Sequence, residues 1–305
     1  MNTESIRRKL EEIERTAKES GIDITEEIRV LETKIRASSE SETVWRRVEL
    51  ARHPDRPNAI DYITLIFDGF IELRGDRLFG DDPAIIGGLA FFEGRPVTII
   101  ANQKGRTFKE NMLCNHGMGN PEGYRKALRL AKQAEKFHRP IITFVDTAGA
   151  YPGLGSEERG IGEGIARNLR DFSQLKVPVI CIIIGEGGSG GALGIGVGDK
   201  IYMLENAIYS VISPEGFASI LLHDSTKAKE AAAMLRLTSR DLLSFGVING
   251  IIAEPEGGAQ NDPDFTAANI RDVIARDLDH LCSRSPAVLV RYRNQKIRKF
   301  GSWNE

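Results

Sequence analysis

Apolar and polar residues repeat along this chain in two registers. At the amino terminus Ile6, Leu10, Ile13 and Ala17 recur at spacings of four, three and four, and Ile24, Ile28, Leu31 and Ile35 continue the pattern after Gly21 and Asp23. That period predicts amphipathic helices over 4–17 and 24–35, folded as a hairpin. Each apolar stripe needs a partner surface, either the main body or another subunit. Residues 38–42 read as a polar link, and the main domain is expected to begin near Trp45. LARHPDRP (50–57) reads as loop, and Ile60, Ile63, Phe67 and Phe70 predict a further helix. Residues 84–92 and 96–101 predict two strands joined at Glu93-Gly94, and 107–120 is polar, contains glycine and is expected to be mobile. His116 within it reads as a surface loop residue.

From Pro121 a repeating unit takes over. Proline suits the first position of a helix, and Leu128, Ala131, Ala134 and Phe137 supply that helix's apolar face. Residues 140–145 form a short β-branched run, the signature of a strand buried on both faces. It leaves through DTAGAYPG (146–153), and Ser156 is placed to cap a helix reaching Leu175. Residues 178–184 repeat the buried strand, followed by GEGGSGG at 185–191. Further strands are predicted at 200–204, 207–212 and 247–254, with helices opening at Ser213-Pro214-Glu215 and spanning 227–235 and 239–245. Alternation of strands and helices predicts an α/β protein with a largely parallel sheet. Gly257-Gly258 and Asn261-Asp262-Pro263 end this body, and 265–300 predicts a helical tail with a basic end. That end reads as a solvated face, with phosphate or subunit binding as the alternative.

Composition narrows the function classes. A net charge of −2 over 305 residues argues against a nucleic-acid binder. No apolar run reaches the roughly 18–20 residues of a membrane span, and the amino terminus has no signal-peptide core. Cys114, Cys181 and Cys282 are scattered, which fits reduced thiols in a cytoplasmic protein, and no metal site is expected on this chain.

The chemistry concentrates at 178–198, PVICIIIGEGGSGGALGIGVG, where five of the seven residues from 185 to 191 are glycine. A buried strand feeding a glycine turn and a helix start aims bare N–H groups at one point. Three templates fit. Gly185, Gly187 and Gly190 match a dinucleotide G-x-G-x-x-G, with Glu205 where a ribose-binding acid is expected. The short, glycine-rich segment that follows is a poor crossover helix for that reading. Gly187, Ser189 and Gly191 match the G-x-S-x-G nucleophile elbow, but His223 and His280, the only later histidines, sit in structural-looking settings. The third template is an oxyanion hole built from backbone N–H groups alone. Close packing of helix on strand is the non-functional explanation; it accounts more readily for one or two glycines than for five.

GEGGSGGALGIGVGD, DTAGAYPG, ARHPDRP, PEGYRKALRLA, EERG and YSVISPEGFASIL together resemble the carboxyltransferase α subunit family of bacterial-type, multisubunit acetyl-CoA carboxylase. The resemblance is strong over 45–260, with one departure at Ala148, where the family motif carries proline. It implies a crotonase-like α/β fold, a spiral of ββα units, with a helical hairpin over 1–42, a carboxyltransferase domain over 43–260 and a helical extension over 261–305. It implies transfer of the carboxyl group of carboxybiotin, attached to a carrier protein, to acetyl-CoA, giving malonyl-CoA for fatty acid synthesis in the cytoplasm. The implied partners are a zinc-bearing β subunit in an α2β2 core, the biotin carboxyl carrier protein and the ATP-dependent biotin carboxylase. A different short acyl-CoA substrate, or a crotonase-fold hydrolase using Ser189, remains the alternative.

Under this resemblance Gly190 and Gly191 supply the N–H donors facing biotin, Gly187 and Gly188 shape their turn, and Gly149, Ala150 and Tyr151 line the same cavity. The transfer develops negative charge on the ureido and thioester oxygens, and the released ureido group can itself take the methyl proton, so no Ser–His pair is required. A side chain at Gly191 is expected to project into the space of the ureido ring, with a requirement for positive φ as a second obstacle.

Overall fold

The computed structural model describes residues 25–301, without the side chains of 25–27 and 31–39. The helix expected over 4–17 lies outside the described residues, as do Ile24 and the side chains of Leu31 and Ile35. A single helix, Thr25–Ala51, runs through 38–42, so the expected polar link is helical. Those residues contain no Gly or Pro, and polarity alone does not break a helix.

By internal contacts the chain forms two units, residues 25–46 with 214–235, and 47–213 with 236–301. In the first, helices Pro214–Leu221 and Ala228–Leu235 follow one another through the turn Ser225–Lys227, where the Asp224 carboxylate accepts the Thr226 N–H. Lys229 pairs with Glu42 at 3.1 Å.

The second unit is built on one mixed sheet. Its strands are β1 (Asp68–Glu72), β2 (Ile85–Phe92), β3 (Arg95–Asn102), β4 (Ile141–Thr147), β5 (Val179–Gly188), β6 (Lys200–Leu204), β7 (Ile208–Ser210) and β8 (Gly250–Ile252). The order is β1-β2-β3-β4-β5-β6-β8, with β7 pairing on β5. β1, β2 and β3 are antiparallel, and every pairing from β3 onward is parallel. β4 is buried at every position and β5 at all but its last, Gly188, as their continuous apolar runs require.

Local chemistry explains where the elements differ from the expectations. The helix Ala59–Ile66 stops before Phe67, whose backbone is extended, and Phe70 belongs to β1. Phe67 instead packs in the core, its ring 5.7 Å from that of Phe92. Residues 107–120 hold the helix Phe108–Leu113, started by a capping box in which Thr107 and Glu110 satisfy each other's backbone N–H groups. Ser156 caps nothing. Two helices, Leu154–Glu158 and Ile161–Ser173, meet at Gly160, whose φ of +79° ends the first, and the buried Ser156 hydroxyl donates to Asn120 Oδ1 at 2.7 Å.

The carboxy-terminal helices Pro263–Cys282 and Pro286–Ile297 are tied to the sheet unit by charge as well as apolar contact. Arg293, expected on a solvated face, is buried. It donates to the carbonyls of Phe172, Leu175 and Val177 and to both carboxylate oxygens of Asp199. Lys296 reaches the Gly198 carbonyl at 2.8 Å, and burial brings its ammonium down to about 8 despite Asp199.

A second buried cation explains the Pro-flanked segment after residue 51. Arg56 forms a bidentate pair with Glu254 at 2.6 and 3.0 Å and donates Nε–H to the Ile184 carbonyl of β5 at 2.7 Å. Glu254 also accepts the N–H groups of Asn206 and Ala259. Burial pushes the Glu254 carboxyl up, but Arg56 and these donors outweigh it and hold it below its ordinary 4.5. Removing one member of a buried, fully bonded pair strands the other, at a cost of about 3–5 kcal/mol. Arg56→Met is therefore expected to lose that much in urea unfolding at neutral pH. Because the folded pKa of Glu254 is depressed, the contribution of the pair is complete above 4.5 and fades as pH falls through the folded value. The gap between wild type and Arg56→Met should close in acid.

Candidate active site

β4 and β5 leave the sheet side by side, and their exits form the candidate site. The parallel register holds from Ile141↔Val179 to Val145↔Ile183, shifts, and resumes at Thr147↔Gly187. The glycine-rich segment does not turn at Gly185. Residues 186–188 continue β5 and pair with β7, and the helix Ser189–Gly196 starts directly after Gly188. A dinucleotide loop needs a turn at those glycines, and Gly185 and Gly187 lie inside a strand. Glu205 is also occupied elsewhere: it pairs with Arg240, while its carbonyl accepts from Arg47 and Ser239.

Backbone meets backbone where the two exits touch. A Cβ on Gly188 would overlap the Ala148 carbonyl, and one on Gly191 would overlap the peptide joining Gly149 to Ala150. This brings Gly188, Gly191, Gly149 and Ala150 together, and it changes the reason for a glycine at 191. Its φ is not positive, it is buried, and a side chain there would strike the β4 exit loop before reaching any open space. Close packing also accounts for Gly185 against Asp146, Gly187 against the Tyr209 ring at 2.8 Å, and Gly194 against the Tyr124 ring. Packing thus explains more of this glycine cluster than one or two positions. Gly190 differs, since a Cβ there would sit in ordinary contact, 3.6 Å from Ile165. Tyr151 lies over Gly153 with its ring and donates its N–H to the Gly119 carbonyl at 3.0 Å.

The helix that carries the donors is held from behind. The buried Tyr124 hydroxyl donates to the Gly191 carbonyl at 3.2 Å, and Asn168 Nδ2 bridges the carbonyls of Tyr124 and Gly194. Its front is bare: no side chain caps its first turn, and Gly188, Ser189 and Gly190 are partly exposed. No bond from the Gly190 or Gly191 N–H to another segment is found among the described residues. An uncapped first turn leaves N–H donors aimed outward, with the positive end of the helix dipole behind them. Ser189 has φ +51°, the left-handed conformation of a strand-to-helix elbow. No hydrogen bond joins its hydroxyl to a histidine among the described residues. The ring nitrogens of His53 and His280 engage the Asp55 N–H and Arg284.

Beneath the two exits lies a charge cluster that the sequence reading missed. Lys104 Nζ is 2.7 Å from Asp146 Oδ1 and 3.0 Å from Glu186 Oε2, and Arg52 Nε is 2.7 Å from Glu186 Oε1. Burial alone pushes the Glu186 carboxyl up, but Lys104 and Arg52 reverse this and hold it below its ordinary value. Burial likewise pulls on the Lys104 ammonium, and Asp146 and Glu186 keep it above its ordinary value. The signal was weak, consisting of a lysine just past a strand and an arginine beside a proline-flanked loop. Farther off, a cavity of about 480 Å³ is lined by Ile60, Phe70, Glu72, Ile86 and Cys114, and shares no residue with the glycine turn.

Residues 1–301 match the family model described as acetyl co-enzyme A carboxylase carboxyltransferase-like. The chain is 66% identical over 289 residues to the acetyl-coenzyme A carboxylase carboxyl transferase subunit alpha of Treponema denticola, covering 95% of each chain. It is 53% identical over 300 residues to the subunit of the same name from Bacillus cytotoxicus, covering 97% of this chain and 93% of that one. Among solved structures it resembles transcarboxylase 12S with a TM-score of 0.62 at 21% identity, over 74% of this chain and 42% of that one. It also resembles a chain of a Pseudomonas malonate decarboxylase hetero-tetramer, with a TM-score of 0.61 at 16% identity, over 79% and 96%. The fold is crotonase-like α/β. No described helix is long and apolar enough to cross a membrane.

The geometry separates two neighbouring glycines. Gly191→Ala forces a Cβ into backbone and is expected to destabilise the chain by about 1–3 kcal/mol, as overpacking does. Gly190→Ala meets no such obstacle and should match or slightly exceed wild-type stability, since alanine favours a helix by roughly 0.5–1 kcal/mol. Thermal unfolding of the two variants side by side checks this; equal losses would mean that the exits do not touch as described.

Proposed function

The chain belongs to the acetyl co-enzyme A carboxylase carboxyltransferase family, and from that membership we propose that it is the α chain of a carboxyltransferase acting on carboxybiotin and acetyl-CoA. The observation that carries this reading is the uncapped first turn of the helix Ser189–Gly196 at the exit of β5. Its Gly190 and Gly191 N–H groups serve as the oxyanion donors. The group they serve is planar and carries a carbonyl-type oxygen, and it fits a surface where Gly188 and Gly190 present peptide edges without side chains. Carboxybiotin, when bound, supplies the carboxyl group that is transferred.

The work of this chain is then electrostatic. Negative charge that develops on an oxygen facing the turn meets N–H dipoles already aligned by the strand behind them and by Tyr124 and Asn168. Preorganised donors need no rearrangement as charge develops, and removal of one typically costs roughly a hundred- to a thousandfold in rate. Gly149, Ala150 and Tyr151 form the facing wall, Gly188 and Gly191 keep the two exits at contact distance, and Gly187 packs on Tyr209 behind them. The thioester oxygen needs a second set of donors, which we assign to a β partner together with the zinc site. Assembly with the biotin carrier and biotin carboxylase, and work in the cytoplasm, follow from the same reading.

A purified chain without its partner is therefore expected to form no malonyl-CoA, and to gain carboxyltransferase activity when mixed with the β subunit and free biotin or a biotinylated carrier. Turnover by the single chain would refute the division of labour. Ser189→Ala in the complex should keep most of its activity, because the left-handed serine shapes a turn and no hydrogen bond joins it to a histidine among the described residues. A loss beyond about a thousandfold, on the scale of removing a nucleophile, would favour the hydrolase-type mechanism.

A further inference from the structure

We propose that Lys104 is a positioning residue for the transfer reaction: its ammonium bridges the exits of β4 and β5 and sets the spacing of the two loops that form the site. The inference rests on the carboxyltransferase reading above and adds to it a residue outside the glycine turn.

Three observations converge on it. Lys104 follows β3 by two residues, and its Nζ bonds Asp146 and Glu186, which sit on different strands. Asp146 directly precedes the Thr147–Gly149–Tyr151 wall, and Glu186 directly precedes Gly187, Gly188 and Ser189. The same Asp146 oxygen that takes the ammonium also accepts the Glu186 N–H at 2.9 Å, so one carboxylate oxygen ties side chain and backbone across the gap. The bridge also stands where the backbone ladder fails. The β4–β5 register shifts between Val145 and Thr147 and resumes at Thr147↔Gly187, so Asp146 and Glu186 lie at the level where the regular ladder is interrupted. Side-chain charge bridges the strands there.

The cluster is balanced, with Lys104 and Arg52 against Asp146 and Glu186. Without the ammonium, the Asp146 and Glu186 carboxylates lose the cation that bridges them, and their like charges repel. The environment also speaks against Lys104 as a general base. Both carboxylates hold the Lys104 proton in place, so at neutral pH it is a fixed cation and not a base. Lys104 itself is anchored, since its carbonyl accepts from Asn58 Nδ2 at 3.1 Å and from Gln103. A fixed base is what a spacer requires.

The test uses the full chain, alone and reconstituted with its β subunit, with malonyl-CoA and free biotin as the assay pair. Misplacement of a reacting group by about 1 Å can cost about a hundredfold, so Lys104→Met is expected to lower kcat roughly 10–100-fold while the KM for malonyl-CoA stays within about twofold. Lys104→Arg keeps the cation and should recover most of the loss. Amide hydrogen exchange of the chain alone should accelerate in Lys104→Met at 147–151 and 187–191, and remain unchanged in the helix Pro121–Lys136. A folded Lys104→Met complex with wild-type kcat, or unchanged exchange at both exits, would overturn the proposal. If Lys104→Met does not fold, Glu186→Gln decides, because it keeps shape and removes the charge the ammonium binds. The same loss of kcat supports the bridge, and wild-type kcat overturns it. A wild-type complex that transfers no carboxyl group would instead refute the function proposed above, and the exchange data would still report on the bridge.

Discussion

The structure of the site depends on one steric constraint: two strand exits pack backbone against backbone, leaving no room for a β-carbon between them. Gly188 lies on Ala148, and Gly191 lies on the peptide between Gly149 and Ala150. At that distance no β-carbon fits at Gly188 or Gly191. The helix Ser189–Gly196 can then begin flush with the sheet, its first turn facing the β4 exit loop. Its glycines therefore act structurally here, and in the proposed function chemically as well. By allowing close approach they place bare N–H groups beside a second loop.

Backbone contact of this kind resists compression but does not prevent separation, and the ladder between β4 and β5 slips at this level. The molecule answers with buried charge. Lys104, Asp146, Glu186 and Arg52 lie under the exits, and Arg56 ties the preceding segment to the Ile184 carbonyl and to Glu254. Buried ion pairs contribute little net stability when complete and cost much when broken. Their value here is geometric: each is bonded to backbone or to more than one strand, so each specifies a distance. Arg293 does the same for the carboxy-terminal helix, drawing three carbonyls and Asp199 to one guanidinium.

Such a frame suits a chemistry with little ionisable machinery. Peptide dipoles do not titrate, and what they require is fixed orientation. In the proposed site the charged residues stand behind the surface assigned to the reaction, and the chain's relatives are named as the alpha subunit of a carboxyl transferase.

The sequence by itself determined the class of fold and the place of the chemistry. Runs such as residues 141–145 and 179–184 can only be buried strands, and a glycine cluster after one of them marks close approach whatever its purpose. Motifs in order along 45–260 gave the family resemblance. Boundaries governed by local pairing were less legible. Residues 38–42 join a helix because nothing there breaks one, Phe67 leaves a helix to fill the core, and Gly185–Gly188 remain in the ladder because β7 offers them partners. Only the tertiary structure decided why each glycine is a glycine, since that depends on Ala148, Tyr209 and Tyr124, which lie far away along the chain. It also decided which charges are interior. An arginine in a basic tail reads as solvated, because charge alone favours water, and a lysine after a strand gives little signal; what holds Lys104 and buries Arg293 is a set of acceptors gathered from remote segments, and no local pattern records that gathering.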